Sequence, residues 1–325
     1  MRQLAWVIGA RGLLGRAITR QIDGRSQWER FAADPIPWGS AQAATAQARK
    51  TAAALFDEAA ATGCRWTILW VAGAGVVASS AEKLDAEFAQ FRDIFDAIGE
   101  ESQAAGAASN GTVFFASSAG GVYGGSPNPP HTELTPPVAI SPYGQVKLRM
   151  EEAVAQFSGQ YGVSVLTGRI ANLYGPGQQL GKVQGLISHL ALAQFSPRPA
   201  SIFVPLETVR DYIFVDDCAE LICDAMDKLA SVTQSDGRTE VTKILGSGVG
   251  VTIATLLGYF RALSKGHPNI VLGSSRLSSL QAVDLRLQSV VWSDLDAREL
   301  TPLPAGINAT MLDILTHVQQ PRSLG

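Results

Sequence analysis

The chain has 325 residues, 46% of them hydrophobic and 17% charged, and a net charge of −3. That length suits one large α/β domain or a domain with an appended lobe, and the charge excludes the basic runs that hold nucleic acid or a membrane surface. No apolar run is long enough to span a bilayer, and Leu4 to Ala10 is too short for a secretory signal. The three cysteines, Cys64, Cys218 and Cys223, show no metal spacing and read as reduced, buried thiols of a cytoplasmic protein. The histidines, His131, His189, His267 and His317, lie too far apart to pair as ligands, so no metal site is expected.

Leu4 to Ile8 reads as a buried parallel strand and runs into Gly9-Ala10-Arg11-Gly12-Leu13-Leu14-Gly15, followed by an amphipathic segment from Arg16 to Ile22. Strand, glycine turn, helix is the context of a dinucleotide site: backbone N–H groups approach a pyrophosphate and the helix N-terminus favours its charge. The spacing is Gly-x-x-Gly-x-x-Gly. Arg30 to Trp38 is expected as a second strand, made irregular by Pro35 and Pro37. Alanine-rich Ala41 to Ala61 reads as a helix, Thr67 to Val71 as a strand ending in Ala72-Gly73-Ala74-Gly75, and Ala81 to Ala107 as a helix. Thr112 to Ala116 is a further strand, ending in Ser117-Ser118-Ala119-Gly120-Gly121-Val122-Tyr123-Gly124, and residues 126–137 form a proline-rich loop.

Ser141 and Pro142 fit the N-cap and first position of a helix carrying Tyr143 and Lys147 one turn apart on one face. A fixed ammonium near a phenol favours the phenolate, so such a tyrosine can exchange a hydroxyl proton near neutral pH. Ser164 to Ile170 is the next strand. The alternation predicts a parallel sheet covered by helices on both faces, with ligands beyond the C-terminal strand ends. Past residue 171 the chain reads as a loop at Tyr174–Gly177, a helix over Leu186–Gln194, a strand near Ile202 with the charged pair Arg210-Asp211 after it, a helix over Asp216–Leu229, a polar loop over Ser231–Thr239 and a helix over Thr252–Lys265. Residues 1–170, with a return segment near 207–230, are expected as the dinucleotide-binding domain. Residues 171–206 and 231–325 are expected as a smaller substrate-binding lobe.

Taken in order, these segments resemble the extended short-chain dehydrogenase/reductases, in particular the NAD-dependent epimerase/dehydratase branch that handles nucleotide sugars. The matching stretches are Gly9–Gly15, Ser117–Gly124, Ser141–Leu148, Arg169–Gln178, Arg210–Asp217 and Gly246-Ser247-Gly248. The resemblance implies a Rossmann-type doubly wound sheet with a C-terminal substrate lobe. It implies Tyr143 as acid/base, Lys147 as its support and the holder of the nicotinamide ribose, and a serine on the substrate oxygen, with Ser118 preferred and Ser117 open. It implies Asn172 on the sugar nucleotide and Arg210 on its diphosphate. The alternatives are a loop-capping bond for Asn172 and, for Arg210, an ion pair with Asp211 or a nearby carboxylate. NAD is the expected cofactor, with NADP as the alternative, held by Gly9, Arg11, Gly12, Leu13, Leu14, Gly15, Asp34, Ala72, Gly73, Tyr143 and Lys147; Arg11 favours a 2′-phosphate and Asp34 a free ribose. The family admits a homodimer.

The chain also departs from the pattern. Ala119 stands at the usual serine or threonine position, and Ala119 and Gly120 fill the place of the Asp-Glu pair of sugar 4,6-dehydratases, which ranks dehydration low. A C-terminal arginine is replaced by Gln281, with Arg276 or Arg286 as substitutes. The leading expectation is an epimerase. A keto-sugar reductase is second, and a non-catalytic dinucleotide-binding regulator is third, disfavoured by the intact Tyr143/Lys147 pair.

Overall fold

The computed structural model describes residues 2–76, 79–178, 185–264, 269–273 and 282–319. In chain order the main elements are β1 (Gln3–Ile8), α1 (Leu13–Asp23), β2 (Trp28–Arg30), α2 (Ala41–Thr62), β3 (Arg65–Trp70), α3 (Ala81–Ala104), β4 (Gly111–Ser118), α4 (Ala119–Val122), α5 (Pro142–Tyr161), β5 (Ser164–Ile170) and β6 (Asn172–Tyr174). They continue with α6 (Leu186–Gln194), β7 (Ala200–Ile202), β8 (Val209–Phe214), α7 (Val215–Asp236), β9 (Glu240–Leu245), β10 (Gly250–Thr252), α8 (Ile253–Leu263), β11 (Ile270–Leu272), β12 (Asp284–Leu285) and α9 (Leu303–Gln319).

The central sheet is six-stranded and parallel, in the order β2-β1-β3-β4-β5-β9. Every residue of β1, β3 and β5 is buried, as strands covered on both faces must be. One apolar layer joins α2, α3 and α5 to one face through Phe56, Trp66, Phe91, Phe95 and Phe157. The other joins α1 and α7 to the opposite face through Ile18, Ile22, Phe114, Leu221 and Met226. Helix ends follow local chemistry: Ser40 accepts from the Ala43 N–H and Ser141 from the Gly144 N–H, while Gly63 and Gly162 close α2 and α5 in the left-handed conformation.

A smaller lobe is built around β8, flanked by β10 and β12 with β6 also paired to it, and around a core of Tyr174 and Tyr212 from β6 and β8 with Leu190, Leu256, Phe260 and Ile307 from α6, α8 and α9. The chain passes between lobe and sheet repeatedly, because β8 leads directly into α7 and the last strand of the main sheet is β9.

Several boundaries differ from the sequence expectations. The second strand covers Trp28–Arg30 rather than Arg30–Trp38. Its pairing ends with Phe31 N–H donating to the Ala5 carbonyl, and Pro35 and Pro37 bring no donor to extend it. The helix expected to reach Ala107 stops at Ala104, just before Gly106 turns to φ 60°. The polar loop expected over Ser231–Thr239 is helical as far as Asp236, because Ala230 and Thr233 bury against the sheet and tertiary packing outweighs the polar composition. Arg210 lies within a strand, β8, rather than after one. Lys265, Arg276 and Gln281 fall outside the described residues.

Candidate active site

The glycine turn leaves β1 with no room for side chains. A Cβ on Gly9, whose φ is 100°, would lie 2.6 Å from the Ala72 nitrogen, and one on Gly15 would lie 2.2 Å from the Gly9 carbonyl oxygen. Only glycine allows β1, α1 and the end of β3 to approach this closely. Gly12 caps α1 without a side-chain partner, so N–H groups of Leu13 and Leu14 at the helix start are open to an anion. This cradle fits a pyrophosphate. The loop after β6 lies across it: Arg16 donates to the Gly177 carbonyl, and the Gly177 N–H donates to Asp313 at 2.8 Å. Arg11 and Asp34 are both exposed, and neither forms an ion pair among the described residues. Asp34 lies beyond the end of β2.

At the ends of β3 and β4 the structure brings together Gly73, Ala116, Ser118, Tyr143 and Lys147. Lys147 is buried; its Nζ donates to the Ala116 carbonyl at 3.2 Å and lies 5.9 Å from the centre of the Tyr143 ring. A Cβ on Gly73 would be 4.0 Å from the same Nζ. The Tyr143 ring rests against Gly121, and Gly144 lets α5 close on α4, since its Cβ would lie 2.1 Å from the Gly121 carbonyl.

The two serines separate by strand parity. Ser117 is buried and donates to Glu151, both of whose carboxylate oxygens also accept from the Arg169 guanidinium. Ser118 is half-buried, and its hydroxyl accepts from the Gly121 N–H at 3.3 Å, leaving its proton free to donate. Behind them Arg169 also donates to the Tyr123 hydroxyl at 2.7 Å, and the buried His131 ring stacks on Tyr123 with both ring nitrogens unpartnered. Burial lowers the His131 pKa, which keeps it neutral.

Asn172 is exposed, and its amide donates to the Asp211 carbonyl at 2.8 Å. Arg210 does not pair with Asp211, because neighbouring strand residues face opposite ways. Asp211 is buried and accepts from Ser247 N–H, Ser247 Oγ and Gly248 N–H; burial pushes its pKa up to about 6 against those bonds. Arg210 is buried with one hydrogen bond among the described residues, to the Val209 carbonyl, and burial lowers its pKa. Arg286 is held by Asp284. A surface groove of about 670 Å³ beside Ala41, Thr45 and Arg49 lies away from all these groups. Among the described residues there is no cluster that could hold a metal ion, and no helix is long and apolar enough to cross a membrane. Sequence reasoning missed Glu151, Arg169 and Asp211 as contributors; a carboxylate one turn after Lys147 on the same helix face was the available signal for the first.

Comparison with known proteins gives the family and the fold. The model of the NAD dependent epimerase/dehydratase family matches residues 5–237, so the chain belongs to that family. A UDP-glucose 4-epimerase of Mycolicibacterium smegmatis is 32% identical over 108 residues, which is 33% of this chain and 34% of that protein. A dTDP-4-dehydro-6-deoxyglucose reductase of Escherichia coli is 28% identical over 147 residues, 45% of this chain and 43% of that protein. The chain thus matches less than half the length of these curated relatives. The fold is shared over nearly the full length with the UDP-glucose 4-epimerase of Thermus thermophilus in complex with NAD: TM-score 0.75, 21% identity, 97% of this chain and 99% of the other.

Proposed function

We propose that this member of the NAD dependent epimerase/dehydratase family is an epimerase that binds NAD at the Gly9–Gly15 turn and inverts a hydroxyl-bearing carbon of a nucleotide sugar through a transient ketone. The observation that carries the reading is the Lys147 ammonium, anchored on the Ala116 carbonyl and held beside Tyr143 at the strand ends. NAD would supply the hydride acceptor and donor. Tyr143 takes the sugar hydroxyl proton and returns it after the ketone has turned. Lys147 keeps a positive charge near the Tyr143 ring as the proton leaves. Ser118, its acceptor side used by Gly121, donates its proton to the reacting oxygen. Arg210 offers guanidinium N–H groups to the diphosphate, and Asn172 adds a neutral contact.

The chemistry fits the relatives, which include a UDP-glucose 4-epimerase and a reductase of a dTDP-keto sugar. A second reading, net reduction of a keto sugar by NADPH, is favoured by one observation: Arg11 stands exposed in the phosphate turn with no carboxylate partner among the described residues. Cofactor identity after purification separates the two. Retained NAD supports epimerisation; an empty site that prefers NADPH supports reduction. Tyr143→Phe removes the proton carrier and keeps the ring, so turnover should fall by roughly 10²–10⁴ while dinucleotide affinity is preserved. Unchanged turnover in the pure variant would remove Tyr143 from the mechanism.

A further inference from the structure

We infer that Glu87 is the counter-charge of the nicotinamide end of the cofactor site, favouring the oxidised, cationic ring over the reduced, neutral one. The inference rests on the NAD reading above and names a residue that reading does not use. Glu87 lies in the second turn of α3, half-buried. Its carboxylate reaches over the loop that follows β3. A Cβ on Gly73 would meet Glu87 Oε1 at 3.3 Å and Lys147 Nζ at 4.0 Å, and one on Gly75 would meet Oε2 at 3.2 Å. Glu87 and Lys147 therefore border one corner of the site, with only a glycine between them and no side chain to separate them.

The carboxylate has no hydrogen bond or ion pair among the described residues. Arg149 lies over the Phe88 ring, 4.1 Å from its centre, and pairs with Asp85. A carboxylate with no partner among the described residues, set at this corner beside Lys147, is free to face the charge of a ligand. The same corner presents a difficulty. The Lys147 ammonium, useful to Tyr143, repels a cationic ligand ring, and a fixed negative charge beside it cancels that repulsion. Across a half-buried site a unit charge several ångströms away shifts the affinity of a cationic ligand by about tenfold. An enzyme that begins and ends each turnover with oxidised cofactor needs this bias; one that consumes the reduced form does not.

The test measures dissociation constants for NAD in its oxidised and reduced forms on the full chain, stripped of co-purified dinucleotide, by calorimetry. In Glu87→Gln the oxidised form should bind about tenfold more weakly and the reduced form within about twofold of wild type. Asp85→Asn, an exposed carboxylate on the same helix, should leave the ratio of the two constants unchanged. Glu87→Asp keeps the charge and should keep the ratio within about threefold, which guards against a Glu87→Gln protein that loses the loop altogether. A Glu87→Gln protein that binds both forms with the wild-type ratio overturns this inference and leaves the proposed function standing. A wild type that binds neither form overturns both.

Discussion

Arg169 and Arg210 are buried to nearly the same extent, at 7% and 8% exposure, in two different regions of the molecule. Arg169 sits in β5, under the floor of the candidate site. Burial alone would lower its pKa, but the hydrogen bonds and charge of Glu151 more than offset that, and it is raised. Arg210 sits in β8 of the small lobe. Burial lowers its pKa, and Tyr212 and Asp284 only partly compensate. The first cation is complete within the protein. The second has no carboxylate partner among the described residues, and its guanidinium nitrogens are not among the sealed, unpaired atoms that include Nε and Nη2 of Arg65 at the start of β3. Pairing separates scaffold from site, provided the unpaired group can also be reached by a ligand at the strand ends.

The largest effect that tests this contrast is on stability. Arg169→Met leaves Glu151 buried without its cation, with Ser117 as its remaining donor, and should cost about 3–5 kcal/mol in urea unfolding. Adding Glu151→Leu should recover part of that loss, because the orphaned charge goes with its partner. A loss below about 1 kcal/mol would mean that the pair is not a unit. Arg210→Ala should behave the other way. Stability should change by less than about 1 kcal/mol, while binding of a nucleoside diphosphate, measured with UDP, GDP and dTDP, should weaken by about tenfold to a hundredfold. If no nucleoside diphosphate binds wild type at millimolar concentration, the diphosphate role of Arg210 fails, and the chemistry at Tyr143 is unaffected.

The two regions also differ in how far they could be read from the sequence. The sheet half is governed by local signals. Glycines at 9, 12 and 15 mark the cradle, Ser141 and Pro142 mark the start of α5, and strand Ser164–Ile170 lies where its apolar run places it. The different surroundings of Ser117 and Ser118 could not be read without the strand itself. With an expected end at Ala116 both serines were loop residues, whereas β4 runs through Ser118 and alternation turns Ser117 inward. The lobe is held by pairings distant in the chain, such as Leu285 beside Arg210, in which strands of two or three residues, too short to carry a period, join β8. Its last helix, α9, had a readable stripe in Ile307, Met311 and Ile314 that went unused. Glu87 and Asp211 were invisible because their roles depend on what they face.

Asp211 gives the smallest effect and the sharpest check on the lobe seam. It stands next to Arg210 and faces away from it, so β8 buries two charges back to back without pairing them. Its partners are instead N–H and O–H donors of Ser247 and Gly248, on the turn that leaves β9 of the main sheet. Burial raises its folded pKa to about 6 from an ordinary 3.8. A raised acid favours the folded state most when both states are protonated and takes that contribution away as the pH climbs through the folded value. Between pH 5 and pH 7 this group should therefore remove about 1 kcal/mol of stability. Asp211→Asn removes the titration while keeping the shape. Urea unfolding at pH 5, 6 and 7 should show the variant losing less stability than wild type over that interval, whatever its absolute stability. A wild-type-to-variant difference that stays constant across the three values would place the Asp211 carboxylate outside this window and leave the seam held by a permanently charged group.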